Sequence, residues 1–91
     1  MINNHFEKEM HMNKPAHRIK YERVTATIWQ NEAENSVLYN VTLTRSYRDK
    51  KSDEFKDTHG FGQSDLLAAA KALSDAHTWI HQSRRNTSLK D

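Results

Sequence analysis

Threonine, asparagine and tryptophan alternate with apolar residues in two stretches of the chain, "RVTATIWQN" (23–31) and "VLYNVTLTRSYRD" (37–49). A period of two puts Thr25, Thr27, Trp29, Asn40, Thr42, Thr44, Ser46 and Arg48 on one side of extended backbone, with Val24, Ala26, Ile28, Tyr39, Val41 and Leu43 on the other. Hydroxyls and amides beside an indole and a guanidinium can stack a base and hold phosphates. Arg45, Lys50 and Lys51 add positive charge as the second stretch ends, and Lys14, Arg18, Lys20 and Arg23 do so before the first. These residues have a plainer reading as well. Threonine suits any solvated strand, an antiparallel sheet normally keeps one wet face, and Glu22, Asp49, Asp53 and Glu54 break the basic runs into ordinary mixed charge.

Other chemistry is thinly represented. His77 and His81 stand four apart, a spacing that lets two imidazoles share a metal with His59 as a third ligand, but Thr78 occupies the place of the glutamate in a His-Glu-x-x-His enzyme. The expectation is instead that His77 is hydrogen-bonded at the edge of the core. "GFGQSD" (60–65) precedes a helix yet places Asp65 where a phosphate-binding loop needs glycine, so it reads as a turn with Ser64 as N-cap. Asp53 and Glu54 lie in a charged turn without an apolar pocket to tune them, and nothing reads Gly-x-Ser-x-Gly. With no cysteine there is neither a thiol nucleophile nor a thiolate cluster. No catalytic residue, cofactor or resident metal is expected.

The elements that must position the polar face follow from periodicity. Residues 1–17 read as a flexible N-terminal arm, 18–82 as a single βββα domain and 83–91 as a polar tail. The first strand raises a question of register, because Ile19 and Tyr21 have the opposite parity from Val24 and Ile28. Either a bulge near Glu22 resets the alternation or the strand begins at about Arg23. The second strand runs from Val37 to about Arg48, "DKKSD" forms a hairpin loop, and "EFKDTHGFG" supplies a short third strand. "SDLLAAAKALSDAHTWIHQSR" has the composition of a helix, with an inward stripe of Leu66, Ala70, Leu73, His77 and Ile80. The fold class is therefore α+β, a three-stranded antiparallel meander with one C-terminal helix on one face.

In that order of elements, "VTATIWQNE", "YNVTLTRSYRD" and "FKDTHGFGQSDLLAAAKALSDAHTWI" resemble a family of short uncharacterised bacterial proteins. The shared pattern is a Trp-containing first strand, a Tyr-Asn-Val-Thr second strand followed by Arg-Ser-Tyr, a third strand closing in Phe-Gly, and a helix ending in Ala-His-x-Trp-Ile. The resemblance spans residues 24–80, implies the fold and implies no activity. In layout alone the chain is also similar to the ββββα transcriptional coactivators that bind single strands.

Composition sets the remaining expectations. Ninety-one residues with 14 Lys+Arg and 12 Asp+Glu give a net charge of +2, too little for net charge to choose a partner. Leu, Ile, Val and Phe supply under a fifth of the chain, so the core is small and self-association is the expected remedy, with Ala72 and Trp79 as the seam of a homodimer. The start lacks an apolar signal segment and no apolar run is long enough to cross a bilayer, which reads as a cytoplasmic protein with no membrane partner. The leading functional expectation is single-stranded DNA or RNA on the open sheet face, through Thr25, Thr27, Trp29, Asn40, Thr42, Thr44, Arg45, Arg48, Lys50 and Lys51. Its rival is a protein partner, with the chain as an inhibitor or adaptor, such as one from a mobile element, docking through the same face or an edge.

Overall fold

The computed structural model describes residues 14–33 and 36–90. Four strands, β1 (Lys14–Tyr21), β2 (Val24–Ala33), β3 (Ser36–Asp49) and β4 (Glu54–Thr58), form an antiparallel sheet in the order β1-β2-β3-β4. A 3-10 turn (Gln63–Asp65) then leads into the single helix α1 (Leu66–Lys90). The α+β class and the helix match the sequence reading, but the expected three strands are four. The extra strand is β1, which begins inside the segment read as an arm, while α1 continues past Ser83, where a tail was expected. The rest of the arm, residues 1–13, lies outside the described residues.

The parity of Ile19 and Tyr21 explains the missed strand. Tyr21 pairs with Val24 across a two-residue turn, and the register continues Ile19 to Ala26 and His17 to Ile28. Directly opposed residues share a face, so crossing a two-residue turn shifts the parity without any bulge at Glu22. The turn has Glu22 at φ 56, a left-handed conformation unusual for a residue with a Cβ. The register shift that does occur lies between Pro15 and His17.

The core lies between this sheet face and the helix. Val24, Ala26 and Ile28 are fully buried, as their alternation predicts, and Ala69, Ala72 and Ala76 cover them from α1. The helix is thus rotated from the expected stripe: Leu66, Leu67 and Leu73 are exposed, as are Ala70 and His77. Two apolar stripes overlap in this sequence, and the one containing Trp79 turns inward. An indole buries more surface than a leucine, and Trp79 lies between His17, stacked at 5.2 Å, and Tyr39, edge-on at 5.7 Å. Alanines one and two turns earlier then fall beneath the helix and let it sit close to the sheet. At the start of the 3-10 turn the N-cap is Gly62 and not Ser64, and the Asp65 carboxylate, three residues on, reaches back to accept from the Gly62 N–H at 3.1 Å.

Candidate nucleic-acid interface

Register determines which side chains share the face that α1 leaves open. Thr25 stands between Lys20 and Thr44, Thr27 between Arg18 and Thr42, and Trp29 beside Asn40. Further along β3, Ser46 pairs with Asp57 and Arg48 with Phe55. Alternation along the strands therefore gives this face Arg18, Lys20 and Arg48 against one acidic position, Asp57, among the described strand residues. Hydroxyls and amides fill its middle.

Trp29 leans across that middle. Its Nε1–H donates to Thr42 Oγ1 at 2.9 Å, which draws the ring from β2 over β3 and leaves it half-buried. Thr27 is only 8% exposed beneath its neighbours, so it supports the surface rather than forming part of it. Thr25 and Thr44 are half-buried, and Asn40 and Thr42 are exposed.

The β3–β4 hairpin extends past the β1–β2 turn, since Val24 already pairs with Arg45 and β3 continues to Asp49. On this extension the Arg48 guanidinium lies 6.0 Å from the centre of the Phe55 ring and donates from Nε to Asp53 Oδ1 at 2.8 Å. Lys50 and Lys51 are exposed in the hairpin loop. Asp49 organises that loop: it accepts from the Lys51 N–H at 3.3 Å and the Ser52 hydroxyl at 3.1 Å, and pairs with Lys56 at 2.9 Å. The Lys56 ammonium, then the Lys51 N–H and the Ser52 hydroxyl, hold its carboxyl below the usual range.

Three sequence-predicted residues lie elsewhere. Alternation carries Arg45 to the helix side, where its Nε donates to the Gly60 carbonyl at 2.9 Å and lies 3.4 Å from Asp65, tying the β4–α1 loop to the helix start. Ala72 is fully buried against the sheet and offers no surface to the expected seam, whereas Trp79 is half-buried between two rings. Arg18, Lys20 and Phe55 join the open face without having been picked out for it. Once the Tyr21–Val24 turn is recognised, alternation places the first two there.

A 270 Å³ cleft between β1 and α1 is lined by His17, Ile19, Asp75, Thr78, Trp79 and Gln82. Beside it the Tyr21 hydroxyl donates to Asp75, and this hydrogen bond, followed by burial and the carboxylate charge, pushes the Tyr21 phenol up. His77 and His81 stack at 6.4 Å on the exposed side of α1, not in the core. Among the described residues, no three His, Cys, Asp or Glu side chains are grouped to hold a metal, and no helix is long and apolar enough to cross a membrane. Comparison of the chain with protein-family models, with curated proteins and with solved structures finds no match.

Proposed function

We propose that the protein is a small non-enzymatic binding protein whose open sheet face takes single-stranded DNA or RNA. The observation that carries the reading is Trp29, held by Thr42 over a face that is polar, basic at its margins and, among the described strand residues, acidic only at Asp57. A base stacks on the indole. Thr25, Asn40, Thr42 and Thr44 hydrogen-bond the strand, and Arg18, Lys20, Arg48, Lys50 and Lys51 meet its phosphates. Thr27 and Arg45 are left out because one is covered and the other faces the helix side.

Titration of the chain with an oligonucleotide tests this directly. Indole fluorescence is quenched, Trp29→Ala loses about 1 to 3 kcal/mol of affinity, and Trp79→Ala loses less. Log affinity falls linearly with log salt, and Lys20→Ala or Lys50→Ala flattens the slope by about 0.7 per lost phosphate contact. A second reading, a protein partner on the same face, draws on Phe55 and Leu38, which are 75% and 52% exposed near its two ends. Absence of oligonucleotide binding at low salt, together with salt-insensitive capture of a protein that Phe55→Ala abolishes, selects that reading.

A further inference from the structure

The alanine face of α1 leaves larger apolar residues on its flank. Asp75, Thr78 and Gln82 line the cleft beside β1. At 100° per residue the opposite flank, with Leu66, Leu73 and His77 and with Ile80 at its inner margin, therefore overlooks β3. Leu66 is 53% and Leu73 44% exposed. Below them Val41 and Leu43 of β3 are half-buried at the margin of the core, because α1 packs mainly on β2 and β1. An apolar ridge thus runs beside an apolar trough. From Leu66 to His81 this flank carries no Asp, Glu, Lys or Arg, and Arg84, one turn further on, is its first charge.

We infer that this ridge and trough form a two-fold interface between two copies of the chain. Three observations choose a second copy as the occupant. The core is too small for a robust monomer: Val24 and Ile28 are the only fully buried side chains larger than alanine among the described residues. A flank uncharged from Leu66 to His81, on a chain of net charge +2, meets its own copy over that length without like charges facing each other, and it offers no charged group there to a partner that needs one. A ridge beside a trough also satisfies the demand of a two-fold contact that each surface both insert and receive.

Size points the same way. Leu66 to Ile80 spans about 21 Å of helix, and the strip from the helix crest down its flank and across β3 is about 20 Å along its contour. That is on the order of 400 Å² per copy, so two copies cover about 800 Å², the size of a weak, transient contact. The dimer is accordingly weak and depends on concentration. It leaves the opposite sheet face, and hence Trp29, uncovered.

Sedimentation velocity of the full chain from low micromolar to near-millimolar concentration reads the monomer–dimer equilibrium. Leu73→Glu moves the midpoint at least about tenfold higher without changing the far-UV spectrum, whereas Leu67→Glu, at a position 85% exposed on the far side of the helix, leaves it in place. Because the chain has no cysteine, a bismaleimide will link copies of an Ala70→Cys variant and leave a Thr42→Cys variant unlinked. A monomer throughout, a dimer indifferent to Leu73→Glu, or cross-linking through Thr42→Cys instead of Ala70→Cys overturns the interface. The first two outcomes leave the oligonucleotide titration untouched, since it reads the other face, whereas cross-linking through Thr42→Cys would place the contact on that face and compete with the oligonucleotide.

Discussion

The indole of Trp29 on β2 is held by Thr42 on β3, two residues beyond its register partner Asn40. This diagonal bond fixes where an aromatic plane lies on an otherwise hydrophilic sheet. Thr42→Val keeps the shape and removes the acceptor. A hydrogen bond at an exposed site is worth about 0.5 to 1 kcal/mol, so a urea melt will show a loss of that order. Acrylamide quenching of Trp29 will rise and oligonucleotide affinity will drop several-fold, by less than in Trp29→Ala. Unaltered quenching would mean that packing alone holds the ring.

Glu22 sits at φ 56 in the two-residue β1–β2 turn. A left-handed conformation costs a residue with a Cβ about 1 to 2 kcal/mol, and glycine recovers this at an entropic cost of about 0.4 to 1 kcal/mol. Glu22→Gly is therefore expected to stabilise the fold by roughly 0.5 to 1 kcal/mol, seen as a rise of a few degrees in Tm. Asp53, at φ 61, also has a Cβ, but it pairs with Arg48 at 2.6 Å. Asp53→Gly loses that pair and gains less.

Ala72 has no exposed surface where α1 meets β2. Ala72→Leu forces three further carbons into a closely packed seat, at a cost of about 1 to 3 kcal/mol. Chemical denaturation will record the loss. At a helix-to-helix seam the same change would chiefly alter the sedimentation profile.

The carboxyl of Asp49 is held below its ordinary range, first by Lys56. A depressed acid stabilises the folded state above its unfolded pKa of about 3.9, and this contribution disappears as pH falls through the lower folded value. The amide resonances of residues 49–54 will lose their dispersion in that acid window ahead of those of β2, and Asp49→Asn will abolish the pH-dependent step. Tyr21 behaves with the opposite sign. Its phenol is raised by Asp75, so its contribution is present below about pH 10 and fades as pH rises through the folded value.

Much of this fold could be read from alternation. Val24, Ala26 and Ile28 announce their burial, and β3 shows its two faces over most of its length. A two-residue turn without glycine or asparagine gives little local signal, so "KPAH" passed for the end of an arm, "RIKY" was joined to the strand that follows it, and a strand was missed. Rotation of the helix was ambiguous because leucines and alanines form adjacent stripes. The choice between them depends on a ring sandwich with His17 and Tyr39, residues distant in sequence that no helical period reveals. Arg45 was misassigned by its charge, although its odd position in β3 already placed it with Leu43 and Tyr47.

The order β1-β2-β3-β4 also bears on how the chain reaches its native state. Each strand pairs with the one made just before it, so every sheet contact closes a short loop, and the helix packs on strands assembled earlier. Strand pairing of this kind is local, whereas docking α1 on β1 and β2 joins distant residues, as Tyr21 to Asp75 does, which puts the chain among the mixed α/β domains of intermediate folding rate. The β2–β3 hairpin, with the most extensive pairing, is the natural nucleus. Stopped-flow refolding should be a single rapid phase in which Ile28→Val slows folding, whereas changes in β4 mainly accelerate unfolding.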